Sequence, residues 1–340
     1  MSRPLVSVVM INYNDSKYLR EAVEGALQQS YEPMELVVVD DTSTDESYDI
    51  LTEYAKKDPR VRLFRNERNQ GVVFTSNRSY SLSRGEYLYF CASNDKALPG
   101  FFEKAAAALD SHPRAAFCWT DPSHFFENGG PVYSRRTGLT PGTAYFSPED
   151  LARIYESGAL SSPFHAAPAL FRRSAYEATG GCLPELRWTC DFFLTMVAAF
   201  RSGMCYIPEA LTSTRILEKS YSRSISSRKD IQRDVFTHML EHLISPRYSD
   251  IGPLVTRSGV LSYFGLPMYR LASGDPKYRH LLDRKFRRRA MMFSLKHRVR
   301  QWSSLSFERF YFDLRDRIRS MTGRTWSGAS GAPQSSGTPS

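Results

Sequence analysis

Acidic and amide side chains recur at the ends of apolar runs in the first two thirds of the chain. They fall at Asn12-Tyr13-Asn14, Asp40-Asp41, Asn94-Asp95 and Asp191. The runs before the first three, LVSVVMI, ELVVV and EYLYF, are rich in β-branched and aromatic residues and read as strands buried on both faces. In an open sheet of parallel strands, residues just past the C-terminal ends converge on one crevice. Carboxylates gathered there can hydrogen-bond a nucleoside, hold a divalent cation against a pyrophosphate, or accept a proton. Any one of these residues alone reads as a turn residue or helix cap.

The segments between the strands have helical periodicity. Leu19, Val23, Ala26 and Leu27 form one stripe, Ile50, Leu51 and Tyr54 another, and Phe101 to Leu109 a third, with Pro99 ahead of it. With a short strand at Val61–Phe64 and helix through Ser83, the order is β-α-β-α-β-α-β. Its short loops require a mostly parallel sheet with right-handed crossovers. Further strands are expected at Ala115–Trp119, Ala167–Phe171 and Met204–Ile207. Helices are expected after Ser147-Pro148, at Arg173–Thr179 and at Cys190–Phe200, and Pro122–Thr143 reads as a long loop or hairpin over the crevice.

Bulk properties narrow the field. The 340 residues are 41% hydrophobic and 24% charged, an ordinary globular composition. Five cysteines lack CxxC spacing and read as reduced thiols, and no apolar run approaches a membrane span, so a cytoplasmic setting is expected. The net charge of +9 is concentrated after residue 270, where Lys277, Arg284, Lys285, Arg287, Arg288, Arg289 and Lys296 crowd together. No nucleic-acid-reading module accompanies them, so nucleic acid is not an expected partner. Basic residues interleaved with Met291, Met292, Phe293, Leu295 and Trp302 suit an anionic membrane surface, and equally a helical appendage packed on the rest of the chain. From Trp326 onward the sequence is low-complexity and reads as a disordered tail.

Over about residues 4 to 225 the chain resembles the family-2 inverting glycosyltransferases. The matching segments are VSVVMINYN, ALQQSYEPMELVVVDDTSTDES, NQGVVFTSNRS, GEYLYFCASNDKALPGFFE and ALFRRSAYEATGG with RWTCDFF. The resemblance implies a GT-A fold: an α/β, Rossmann-like, mostly parallel sheet with flanking helices, here over 1–225. A basic helical C-terminal region would follow over 226–322 and a disordered tail over 323–340. It implies a nucleotide-diphosphate sugar donor bound by Asn12, Asn14, Asp40, Asp41, Asn77, Asn94 and Asp95, with Mg²⁺ or Mn²⁺ held at Asp95 and Asn94. Asp191 would be the catalytic base that takes the proton of an acceptor hydroxyl, with Trp188 and His165 on the acceptor side. The acceptor would be a saccharide or lipid-linked saccharide, the setting polysaccharide or glycoconjugate synthesis at the inner face of a membrane.

The chain departs from that pattern at informative places. Ala92-Ser93-Asn94 stands where the family has D-x-D, Cys190 where an acid precedes the base, Ser76 and Ser79 where Arg and Gly are usual, and Leu217 where histidine is common. Without the cation, Arg215, Lys219 and Lys96 are the expected counter-charges for the diphosphate. The same departures leave open a second reading, an inactive nucleotide-sugar-binding module partnering an active transferase.

Overall fold

The computed structural model describes residues 3–127, 133–134, 137–160, 164–217, 221–226 and 228–302. Lys219 and the tail from residue 303 lie outside the described residues.

The N-terminal half follows the expected alternation. Strand β1 (Val6–Asn12) leads to helix α1 (Ser16–Leu27), β2 (Met34–Asp40) to α2 (Ser47–Lys57), and β3 (Val61–Arg65) to α3 (Val72–Leu82). Strand β4 (Tyr87–Ala92), the two-residue β5 (Lys96–Ala97) and α4 (Phe101–Ser111) complete it. Next come β6 (Phe117–Phe126), β7 (Tyr133–Ser134), β8 (Ala144–Phe146), α5 (Pro148–Ser157), β9 (Ala169–Arg172), α6 (Arg173–Thr179), α7 (Cys190–Ser202) and β10 (Met204–Ile216). The rest is helical: α8 (Tyr221–Ser226), α9 (Lys229–Ile244), α10 (Gly252–Ser258), α11 (Gly265–Gly274) and α12 (Phe286–Trp302).

One sheet carries these strands in the order β3-β2-β1-β4-β9-β6-β10-β5, with β7 on β6 and β8 on β10. Strands β1 to β4 pair in parallel, and β9 inserts antiparallel between β4 and β6. Side chains of the central strands alternate between two apolar layers, as the pleat demands. Val6, Val8, Met10, Tyr87 and Tyr89 meet Leu19, Val23, Phe101, Phe102 and Leu109 on one side. Val9, Leu88, Phe117 and Phe171 face the other, with Leu151, Phe193 and Val197. Burying each of these phenylalanines stabilises the fold by roughly 2–3 kcal/mol. The C-terminal helices have no separate core, since Val235, Phe236, Leu240, Leu261, Met268 and Phe286 belong to the second layer.

Local signals account for several boundaries. Helix α5 begins with a complete capping box: Ser147 Oγ accepts from the Asp150 N–H, and the Asp150 carboxylate accepts from Ser147, with Pro148 in the first turn. At Gly85, which enters β4, a Cβ would sit 2.5 Å from the Leu5 carbonyl oxygen, so only glycine fits that crossing.

Two expectations hold with different bounds. Pro122–Thr143, expected as a long loop or hairpin, forms a hairpin in its described part, with β6 running on through Pro122 to Phe126 and β7 pairing back on it. Proline is tolerated there because the ladder is interrupted: β9 pairs only with Phe117–Trp119, and β10 shifts register between Ile207 and Thr212, Pro122's partner. The closing strand is also longer than expected, reaching Ile216 rather than Ile207. That extension sets Arg215 against the loop after β4.

Candidate active site

The crevice is built where β1, β2 and β4 end. Asn12 and Asp40 are register partners, and Asn12 Nδ2 donates to Asp40 Oδ1 at 2.8 Å and to Ser43 Oγ at 3.0 Å. Asp40 is fully buried and also accepts from the Ser43 backbone N–H (3.0 Å) and hydroxyl (2.5 Å), with Arg65 Nε at 3.3 Å. Asn14, exposed and at φ 54°, accepts the Thr44 N–H at 2.8 Å and donates its own N–H to Ser43 Oγ. Ser43 is thus the hub that locks the β1 and β2 loops together. Asn12 Oδ1 is buried with no protein partner among the described residues, an acceptor left open at the crevice.

Asp41 organises the next loop. Its Oδ1 accepts from Asn66 Nδ2 (2.6 Å) and the Gln70 N–H (2.8 Å), and Oδ2 from the Gly71 N–H (2.8 Å). Thr42 between them is held at φ 65°, unfavourable for a β-branched residue, and its hydroxyl donates to the Asn66 carbonyl. Strain of this kind, roughly 1–3 kcal/mol, persists where surroundings over-determine the backbone. Both aspartates therefore spend their carboxylates on loop geometry. Beside the exposed polar Asn14, Thr44, Asn69 and Gln70, three apolar side chains also meet solvent: Tyr13 on the β1 loop and Val72 and Phe74 in the first turn of α3, at 48%, 39% and 50% exposure. Sequence patterning gave Val72 and Phe74 no role. The signal available was their place just after Gln70-Gly71, the turn that Asp41 clasps.

The loop after β4 does not fit a divalent cation. Ala92 offers no ligand atom and Asn94 only an amide. Asp95 is 9% exposed, and its Oδ1 accepts the Arg215 N–H at 2.8 Å. Burial pushes the Asp95 carboxyl up to about 7, against the lowering pull of Arg215. Among the described residues, no three His, Cys, Asp or Glu side chains gather to hold a metal. The expected ligand pair Asp95 and Asn94 is corrected accordingly: hard cations want several oxygen ligands, and here the one carboxylate is turned into the sheet. Nor do the two described counter-charges, Arg215 and Lys96, stand open. Arg215 lies between the Tyr18 and Phe125 rings (4.4 and 4.2 Å), donates to the Asn94 carbonyl at 3.1 Å and pairs with Glu21. Lys96 pairs with the same Glu21. Asp15, in place of capping α1, accepts the Ser93 hydroxyl at 2.5 Å, and burial raises its pKa.

Asp191 sits in the first turn of α7, half-buried, with Oδ1 accepting the Phe192 N–H at 2.7 Å. Burial raises its carboxyl to about 6, opposed by the backbone N–H groups of Phe192, Asp191 and Ala166. It is then mostly ionised near neutrality yet far more basic than an ordinary aspartate, the balance a general base needs. The Ala166 contact ties the 164–168 segment to α7. Next to it, the His165 carbonyl accepts Trp119 Nε1 at 3.2 Å and the two rings meet edge-on. Trp188 is half-buried against the second apolar layer, just past Arg187, which turns the chain at φ 45°. Asn77 does not line the donor loops: its Nδ2 donates to the Cys182 carbonyl at 2.8 Å, fastening α3 to the segment that leads to α7. Cys182 and the neighbour of Asp191, Cys190, are in thiol–thiol contact, and that contact and burial raise the Cys190 thiol.

Comparison with known proteins places this architecture. The chain is 34% identical over 130 residues to a protein of Bacillus subtilis described as a teichuronic acid biosynthesis glycosyltransferase, TuaG, covering 38% of this chain and 51% of that one. An uncharacterized glycosyltransferase of Haemophilus influenzae is 39% identical over 95 residues, covering 28% and 38%. The chain thus spans about half, or less, of these relatives' length. Among solved structures, Staphylococcus aureus TarS 1-349 in complex with UDP-GlcNAc superposes with a TM-score of 0.56 at 17% identity, over 83% of this chain and 91% of that one. The mannosyltransferase PcManGT from Pyrobaculum calidifontis, in complex with GDP-Man and Mn²⁺, gives 0.50 at 18%, over 87% of each. These likenesses establish the GT-A fold. The family described as "Glycosyl transferase family 2" matches residues 7–180, just over half of the chain, and with its mostly parallel sheet and crevice of strand-end aspartates this chain belongs to that family.

Proposed function

We propose that the protein transfers a sugar from a nucleotide-diphosphate sugar to an acceptor hydroxyl with inversion. In this mechanism the acceptor oxygen attacks the anomeric carbon from the face opposite the nucleotide. Its proton passes to Asp191 as the bond to the diphosphate breaks. The observation carrying this reading is the Asp191 carboxyl, half-buried at a helix start and raised to about 6. Tyr13, Val72 and Phe74 offer apolar surface for the nucleobase beside the loops of Asn12, Asn14, Asp40 and Asp41. Trp188, in the turn before α7, and His165, next to the Ala166 N–H that opposes the Asp191 shift, are read as the acceptor side. Since the β4 loop lacks a cation's ligand set, donor binding is read as metal-independent, and no step is assigned to Mg²⁺ or Mn²⁺.

The acceptor is read as a saccharide, free or lipid-linked, in polysaccharide or glycoconjugate synthesis. This is supported by the name of the B. subtilis relative and by the nucleotide sugar bound to TarS. The setting is read as cytoplasmic, supported by the five free cysteines, and as the inner membrane face, supported by the basic helix α12. Among the described residues no helix is long and apolar enough to cross a membrane.

Calorimetric titration with UDP, GDP and dTDP, each with Mn²⁺ and with EDTA, is the test. One nucleotide binding equally under both conditions, with turnover abolished in Asp191→Asn, is expected. Nucleotide binding with no turnover by the native chain on any acceptor would instead establish the inactive partner module, which Asn94, Cys190 and Leu217 favour. No nucleotide binding at all would overturn both.

A further inference from the structure

Exposed large apolar side chains are few among the described residues and fall in two places. Tyr13, Val72, Phe74 and Tyr221 lie in the catalytic half. Met291, Met292 and Leu295, at 52%, 52% and 61% exposure, all lie on α12. Over residues 286–294 the inner side of that helix is packed. Phe286 and Ala290 are buried, Phe293 meets the Tyr263 ring at 5.3 Å, and Ser294 Oγ accepts the Leu266 N–H at 2.7 Å. The outer side runs Arg287, Arg288, Met291, Met292 and Leu295, at helical spacings of three and four that bring them onto one face.

Charge marks the same face. Arg284, Lys285, Arg287 and Arg288 are exposed, and none is in an ion pair among the described residues. Arginines elsewhere are commonly paired: Arg201 with Asp250, Arg257 with Glu149 and Glu156, and Arg289, turned inward on this very helix, with Asp283. Unpaired cations beside an uncovered apolar stripe match a surface that is anionic at its face and apolar beneath it.

We propose that the outward face of α12 docks on an anionic lipid bilayer, with Met291, Met292 and Leu295 entering the acyl boundary and Arg284, Lys285, Arg287 and Arg288 lying among the headgroups. The contact deepens the membrane setting proposed above. It stands or falls apart from glycosyl transfer, because it is read without turnover.

The experiment is co-sedimentation of the full chain with phosphatidylcholine vesicles, with and without about 30 mol % phosphatidylglycerol. Binding to the anionic vesicles alone, weakened at least about tenfold by raising salt from low to physiological strength, is expected. Arg287→Ala with Arg288→Ala should lower the partition coefficient roughly 30-fold. Met291→Ala with Leu295→Ala should lower it about tenfold or more without changing its salt dependence. Unchanged circular dichroism and nucleotide affinity in both variants confirm that they fold. Failure to bind anionic vesicles at low salt would overturn the proposal, as would equal binding to neutral ones. So would variants that bind like the native chain, which would assign attachment to residues beyond 302, or a native dimer that the same substitutions dissociate.

Discussion

Asp191→Asn should uncouple activity from stability in opposite directions. The substitution keeps the side chain's shape and its acceptor for the Phe192 N–H, but removes the charge. With its carboxyl at about 6, Asp191 is roughly nine-tenths ionised at pH 7 and one-tenth at pH 5. The native kcat/KM should therefore fall about tenfold over that interval, with an apparent pKa near 6, and the asparagine variant should lose about 10²–10⁴-fold at pH 7. The stability effect has the other sign. Between the usual 3.8 and about 6, the folded chain holds a proton that the unfolded chain has released, so stability falls as pH rises through this window and stays lower above it. A displacement of about two pH units corresponds to roughly 3 kcal/mol. Urea unfolding at pH 7.5 should thus find the variant more stable by up to about 3 kcal/mol, and the gain should vanish near pH 4. A variant less stable than the native chain, or a native pH–rate profile flat from 5 to 7, would show that Asp191 is a helix-end structural group and refute the assignment.

Asp41→Ala would strand the Asn66 amide and the Gln70 and Gly71 N–H groups, so urea unfolding should register a loss of about 3–5 kcal/mol. Asn94→Asp alone should leave nucleotide binding insensitive to Mn²⁺ in calorimetry, because Ala92 stays without a ligand atom and Asp95 stays turned to the Arg215 N–H. A gained metal requirement would show that Asp95 swings free. Asp95, raised by burial to about 7, makes native stability fall as pH rises from 4 to 7. Asp95→Asn should therefore be the more stable protein at pH 8 by a few kcal/mol, a difference that closes toward pH 4 in denaturant titrations.

The strands and helices around the crevice were legible because their signals are local. ELVVVDD announces a buried strand ending in carboxylates, and Ser147-Pro148-Glu149-Asp150 announces a helix start. The partners of those carboxylates were not legible. Asp95 accepts from Arg215, 120 residues along the chain, and nothing near either residue encodes that pairing. The resemblance implied Asp40 and Asp41 in donor binding, and both do stand at the crevice; their partners within the chain, Ser43, Asn66 and Gly71, are donors that only the folded chain assembles. Pro122 misled for a related reason: its cost as a strand residue is set by a register shift in β10 and by the short reach of β9.

The shared apolar layer behind α7 has a consequence for modularity. The family model matches residues 7–180, but the unit that folds does not end there. Strand β10 lies beside β6 inside the sheet, and Phe236, Leu240, Met268 and Phe286 fill the same layer as Phe117, Phe171 and Phe193. A fragment cut at residue 180 would bare that layer to water, so the catalytic half cannot travel as a cassette. The crevice and the helices behind it share one apolar layer, so neither is packed without the other.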